Sequence, residues 1–318
     1  MIKILITGGA GFIGSHLCHK FVKDGYSVVC VDNFLSGSRQ NIEDLLGNDN
    51  FTLVEHNIIK DLPTTITDLK FDAIFHFACP ASPNPSSPVS YINHPVETLM
   101  VSSVGSKNML DLAVQNNCQI IFASTSEVYG DPLVHPQPET YWGNVSSTGE
   151  RSCYDEGKRF MESIAFAYYR RFQTKIKVIR IFNTYGPGMR LDDGRFTINL
   201  IDSALNNKPF VLYGNGSATR SFCYIDDLVG GIDKIFQSDK AIGEVINLGN
   251  PGEFSVSSSI ELIESLVGHS LQLIKKSALP DDPKRRQPDI TKARSILGWE
   301  PHISFVDGLK LCLKYYHE

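Results

Sequence analysis

Short apolar runs and longer amphipathic stretches take turns along the first half of the chain. Residues 2–7 are an apolar run that ends in glycines, and 12–23 then carry Phe12, Ile13, Leu17 and Phe21 at helical spacing. Apolar runs at 27–31, 51–55, 73–77, 120–124 and 177–182 predict further strands, and 96–116 and 151–172 predict long helices. Strands that alternate with helices make βαβ units, so the predicted fold is α/β, with a doubly wound parallel sheet. In such a sheet ligands bind beyond the carboxyl ends of the strands, where the strand order reverses. After about residue 183 the strands shorten, and connections such as 185–188 and 213–216 fill with glycine and proline.

The first chemistry lies between the first strand and the first helix. Gly8, Gly11 and Gly14 give a G-x-x-G-x-x-G spacing there. A tight turn, a bare backbone and a helix N-terminus together suit a pyrophosphate. An acidic residue is expected about 20 positions on, at the end of the second strand, to hold a ribose. Asp32 stands there. Its carboxylate repels a 2′-phosphate, so NAD is expected over NADP. Residues 1–183 are therefore read as a Rossmann-type NAD-binding domain with a return to the sheet near 245–250, and 184–318 mainly as a smaller substrate-binding lobe.

Tyr154 and Lys158 stand four apart in a helical run and share a helix face. A phenol titrates near 10, too high for a base at neutral pH. A neighbouring ammonium and a positively charged nicotinamide are expected to lower it. The stretch Ser124-Thr125-Ser126-Glu127 follows the fifth strand. It puts a hydroxyl that can bond a reacting oxygen, and a carboxylate that can act as acid or base, at the carboxyl edge of the sheet.

Composition narrows the classes. The chain is 42% apolar and 20% charged, as in ordinary folded proteins, and 30 basic against 35 acidic residues leave −5. That balance argues against a nucleic-acid partner. No run approaches the ~20 apolar residues that span a bilayer, so no membrane partner is expected. The seven cysteines lack C-x-x-C spacing and the nine histidines do not cluster. We expect no disulfide framework, no metal site and a reducing, cytoplasmic setting.

The three motifs, in this order, resemble the extended short-chain dehydrogenase/reductases that act on nucleotide sugars, over nearly the whole chain. Stretches 139–145, 149–159, 180–187, 192–195, 220–224, 247–254 and 281–289 narrow the resemblance to the UDP-glucuronate decarboxylases. It implies NAD as cofactor, a UDP-sugar substrate, and Thr125, Glu127, Tyr154, Lys158 and Arg286 as catalytic residues. It implies cofactor contacts from Gly8, Gly11, Phe12, Ile13, Gly14, Asp32, Asn33, Asn57 and Ile58, besides Tyr154 and Lys158. Ser126, Asn183, Asn199, Tyr213, Arg220 and Arg286 are the implied substrate contacts. It also implies a homodimer through helices 94–116 and 151–172.

Related 4,6-dehydratases usually carry Asp-Glu where this chain has Ser126-Glu127, and serine is a poor general acid. Related 4-epimerases usually lack the carboxylate. Decarboxylation of UDP-glucuronate to UDP-xylose is thus the expectation. A 4,6-dehydratase, a 4-epimerase and a non-catalytic NAD-binding regulator stand as alternatives. Two features depart from the decarboxylase pattern: segment 79–91 is several residues longer, and Asn57 replaces an Asp. The long segment is expected to line the sugar pocket.

Overall fold

The computed structural model describes residues 1–277 and 285–317. Strands β1 (Lys3–Thr7), β2 (Ser27–Asp32), β3 (Phe51–Glu55), β4 (Ala73–His76), β5 (Gln119–Thr125) and β6 (Ile176–Ile181) lie in one sheet. Three short strands, β7 (Thr184–Tyr185), β8 (Phe210–Tyr213) and β9 (Thr219–Ser221), follow outside it. Next come β10 (Cys223–Tyr224) and β11 (Val245–Leu248), then β12 (Glu253–Ser255) and β13 (Leu273–Lys276). β11 returns to complete a seven-stranded sheet in the order β11-β6-β5-β4-β1-β2-β3, and all its pairings are parallel. The order reverses between β1 and β4, so a crevice opens past Thr7 and His76.

Helices α1 (Phe12–Lys23), α2 (Thr64–Thr67), α3 (Pro95–Met100), α4 (Ser106–Asn116) and α5 (Ser152–Phe172) join or flank these strands. Helices α6 (Phe196–Asn206) and α7 (Ile225–Gln237) follow. The expected single helix at 96–116 is instead α3 and α4 joined through a π-helical turn, Val101–Gly105. That turn brings Gly105 against Ile58, where a Cβ on Gly105 would meet the isoleucine at 3.2 Å. A rotated turn is how a helix accommodates such a contact without breaking.

Alternation along each strand divides the core in two. Ile4, Ile6, Val28, Cys30, Phe75, Ile121 and Ile179 pack on one face, and Leu5, Val29, Val31, Ile74, Ile120, Phe122 and Val178 on the other. The first face is continuous with Leu200, Phe222, Ile225 and Leu228 of the later segments. One charge sits inside this apolar frame. Lys177, 1% exposed, donates from Nζ to the carbonyls of Ile235 and Phe236, 2.8 Å each, at the C-terminal end of α7. The Ile235 carbonyl also accepts from the Ser238 N–H that caps the helix, at 3.3 Å, and the helix end favours a cation.

Candidate active site

The expected site residues come from many elements and meet on one cleft of about 770 Å³ at the carboxyl edge of the sheet. Gly8, Gly11, Phe12, Ile13 and Gly14 line it past β1, Asp32 and Asn33 at the end of β2, and Asn57 and Ile58 past β3. Thr125, Ser126 and Glu127 line it at the end of β5, Tyr154 and Lys158 from α5. Asn183, Asn199, Tyr213, Arg220 and Arg286 reach it from later in the chain. Lys284 and Asp281, in the stretch that carried part of the family resemblance, lie outside the described residues.

The glycine turn is built for a close ligand. Gly8 has φ +71°, and a Cβ there would lie 2.7 Å from the Ala78 backbone. A Cβ on Gly14 would lie 2.0 Å from the Gly8 carbonyl oxygen, so α1 packs on the turn only without a side chain. Gly11 begins α1 with no side-chain cap, which leaves first-turn N–H groups for an anion. Asp32 accepts from the Ala10 N–H at 2.9 Å and from the Phe34 N–H at 2.8 Å, which fixes its carboxylate beside the turn. Burial pushes Asp32 above the ordinary carboxylate range, against the pull of those N–H groups. The donors and the bare backbone fit a dinucleotide.

Tyr154 is buried and stacks on Tyr91, with ring centroids 4.8 Å apart and 6° between planes. The Thr125 side chain stands near enough to the Tyr154 hydroxyl to favour the ionised phenol. Thr125 accepts from the Glu127 N–H at 3.2 Å and so caps the short 3-10 turn Ser126–Tyr129. The expected electrostatics need one correction. Lys158 Nζ donates to the Ala123 carbonyl at 2.8 Å and stands 5.8 Å from the Tyr154 ring centroid. Among this chain's own groups, burial acts most strongly and raises the Tyr154 phenol; the lowering expected from the positive charge of a bound nicotinamide is additional to them.

Glu127 needs a second correction. Oε1 bonds Arg286 and Oε2 bonds Arg151. Burial alone would raise this carboxyl, but Arg151 and Arg286 outweigh it and hold it at about 2. A group so held is an orienting anion and not a proton donor at neutral pH. Arg286 is 2% exposed, bonds the Ser126 hydroxyl at 3.3 Å and the Gly130 carbonyl at 3.0 Å, and keeps a buried Nε without a partner. It is no solvated surface charge.

Below the clamp, Arg180 makes a two-point pair with Glu162 at 2.9 and 2.7 Å and donates to the Tyr129 hydroxyl at 3.0 Å. Ser124 donates to Glu162 at 2.6 Å, and Tyr129 to Asn247 at 2.8 Å. The turn that carries Glu127 is thereby tied to β5, β6, α5 and β11.

Three contributors escaped the spacing arguments. Arg151 is three residues before Tyr154 in the helical run, and only that proximity could have marked it. Tyr91 stands in the long 79–91 segment, where no periodic pattern acts. Arg195 lies close enough to Tyr154 to pull its phenol down, while paired with Asp193 at 2.6 Å. The long segment reaches the same place. Ser82 donates to the Asp193 carbonyl, and Asn84 to the Gly194 carbonyl at 3.3 Å. It lines the cleft as expected.

The model of one protein family, described as GDP-mannose 4,6 dehydratase, matches residues 5–312. UDP-glucuronic acid decarboxylase 5 of Arabidopsis thaliana is 44% identical over 311 residues, 98% of this chain and 88% of that protein. UDP-glucuronic acid decarboxylase 1 of Xenopus tropicalis is 44% identical over 316 residues, 99% of this chain and 72% of that protein. Among solved structures, the UDP-glucuronic acid 4-epimerase of Bacillus cereus, in complex with UDP-glucuronic acid and NAD, superposes with a TM-score of 0.87 at 30% identity. That superposition covers 99% of this chain and 98% of the epimerase.

Proposed function

The chain belongs to the GDP-mannose 4,6-dehydratase family of extended short-chain dehydrogenase/reductases, and from that membership we propose that it is a UDP-glucuronate decarboxylase that uses NAD and yields UDP-xylose. The observation that carries this reading is Arg286, buried at the cleft together with Tyr154, Thr125 and Glu127. A buried guanidinium there suits a sugar whose C6 is a carboxylate. The 4-epimerase and 4,6-dehydratase readings share the fold, but the decarboxylases share 44% of the residues over nearly the whole chain.

Gly8, Gly11 and Gly14 hold the pyrophosphate, and Asp32 the adenosine ribose. Phe12, Ile13, Asn33, Asn57 and Ile58 line the rest of the dinucleotide. Bound NAD supplies a two-electron oxidant for the C4 carbinol and gives the same electrons back at the end of the cycle. Tyr154 takes the proton of the C4 hydroxyl, the positive charge of the nicotinamide offsetting the burial that raises its phenol, and Thr125 stands beside that phenol to bond the C4 oxygen. A 4-keto group lies β to the C6 carboxylate, so the C5–C6 bond can break with its electrons delocalised into the ketone. Tyr154, now protonated, and Thr125 stabilise the enolate oxygen. Arg286 orients the carboxylate, and Glu127 fixes Arg286 and Arg151. Carbon dioxide leaves, C5 takes a proton from water in its place, and Tyr154 returns its proton to the C4 oxygen when that carbon is reduced. Asn183, Asn199, Tyr213 and Arg220 hold the UDP portion.

The reading extends to organisation. Residues 1–183, with β11, serve the cofactor, and 184–318 mainly the sugar nucleotide. Val96 and Met100 on α3, and Phe160 on α5, are exposed apolar side chains on packed neighbouring helices, which supports a homodimer through this face. All seven cysteines are free thiols, which supports a cytoplasmic setting. The test of the activity is incubation with UDP-glucuronate, UDP-glucose and UDP-N-acetylglucosamine. The first alone should release carbon dioxide. Water loss from a UDP-hexose, with none from UDP-glucuronate, would establish the dehydratase instead.

A further inference from the structure

Behind the Glu127 clamp lies a carboxyl group that the mechanism does not use. Asp155 follows the base Tyr154 on α5, is 6% exposed, and stands one helical turn from Arg151. Its Oδ1 is buried and has no hydrogen-bond partner. The Tyr91 hydroxyl, close enough to feel the charge of Asp155, is also buried and unpartnered. The charges that act on Asp155 are those of Arg151 just before its helix, Glu156 on it, Glu127 past β5 and Arg286 beyond β13, and its own charge acts on Cys153 beside it and on Tyr91 of the long segment. Burial acts most strongly, the negative charge of Glu127 comes next, and together they outweigh the two arginines. The Asp155 carboxyl is pushed up to about 7. Glu127, in contact with both arginines, stays at about 2. Glu127 is therefore charged at neutral pH, while Asp155 is pushed up to where its charge changes across that range.

We propose that Asp155 is a positioning residue that must carry its proton for the cleft to accept an acidic sugar. This rests on the reading that a C6 carboxylate meets Arg286. As a neutral acid, Asp155 leaves the arginines to Glu127 and the incoming carboxylate. Ionised, it adds a buried anion one turn from Arg151. That anion competes with Glu127 for its partner and repels the sugar's own charge. A neutral sugar in the same seat does not sense the change. Binding of UDP-glucuronate should therefore take up a proton above neutrality, and binding of UDP-xylose should not.

The experiment is titration calorimetry of the NAD-loaded protein with UDP-glucuronate and UDP-xylose across the range about pH 6 to 8.5, in buffers of different ionisation enthalpy. Tyr154→Phe serves as the parent so that no sugar is consumed. The parent should lose up to about tenfold in UDP-glucuronate affinity per pH unit above neutrality, the slope of one linked proton, with proton uptake. UDP-xylose affinity should stay flat. Asp155→Asn, added to the parent, should hold UDP-glucuronate affinity within about twofold across the range. The proposal is overturned if the double variant keeps the parent's slope, or if the parent takes up no proton, a result that decides the matter even where Asp155→Asn does not fold. Carbon dioxide release by the unsubstituted protein is measured alongside. Release with an unchanged slope overturns the Asp155 proposal alone, and its absence at every pH overturns the decarboxylase reading and this proposal with it.

Discussion

Replacing Tyr154 with Phe keeps the stack on Tyr91 and removes only the hydroxyl near Thr125. Loss of a general base typically costs ~10²–10⁴-fold in rate. Turnover of UDP-glucuronate should fall by about that much while its binding, followed by calorimetry, changes little. Near-normal turnover would take the base away from Tyr154. Arg151 offers a different test, because it holds one oxygen of Glu127. Arg151→Met removes one of two cations that keep Glu127 at about 2, so its carboxyl rises toward the ordinary range. A lowered carboxyl keeps its charge until pH falls through its folded pKa. Raising that pKa moves the acid limb of the rate profile to higher pH in Arg151→Met, and an acid limb that stays put would show that Glu127 does not depend on Arg151.

The glycine turn and α1 meet with no room to spare. Gly14→Ala places a Cβ 2.0 Å from the Gly8 carbonyl oxygen, where backbone rather than a flexible side chain must yield. Overpacking of this kind costs about 1–3 kcal/mol and displaces the turn. The variant should be purified with less bound NAD and should melt earlier than the parent, and full NAD retention would contradict the assigned seat. This element was legible because its chemistry is local: three glycines, a helix and Asp32 follow one another at fixed spacing. Tyr154 and Lys158 were legible for the same reason, since a helix face fixes them. The charge state of Tyr154 and Glu127 was not. Lys158 turns to the Ala123 carbonyl and two arginines close on Glu127, and both outcomes depend on chain segments far apart in sequence. Tyr91 and Asp155 were hidden for that reason too, as the long segment brings the one to the other only in the folded chain.

The sheet and the later segments share one apolar core, and Lys177 is embedded in it. Burial is the main influence on this lysine and lowers it to about 8 from 10.5. Between those values the unfolded chain binds more protons than the native one, so stability rises with pH through that window. Lys177→Met should lose this rise. It should also be less stable by about 2 kcal/mol, because the Phe236 carbonyl loses its donor and the Ile235 carbonyl keeps only the Ser238 N–H. Denaturant melts at successive pH values check both, and a parallel pH dependence in the two proteins would contradict the assignment. The parallel sheet itself was readable from strand-like runs alternating with helical ones, and the return of the chain near 245–250 is the edge strand β11. The π-helical turn at Val101–Gly105 was not, because its residues continue the helical spacing on either side of it.

The claim on which the rest depends is that the cleft breaks the C5–C6 bond of an acidic sugar nucleotide. Purified protein with NAD and UDP-glucuronate carrying carbon-13 at C6 tests it, with labelled carbon dioxide and the remaining nucleotide sugar followed by NMR. The account predicts one labelled carbon dioxide for each UDP-xylose formed, with no net consumption of NAD. A C4 epimer of UDP-glucuronate that keeps its label, or a product that has lost water instead of carbon dioxide, would contradict it.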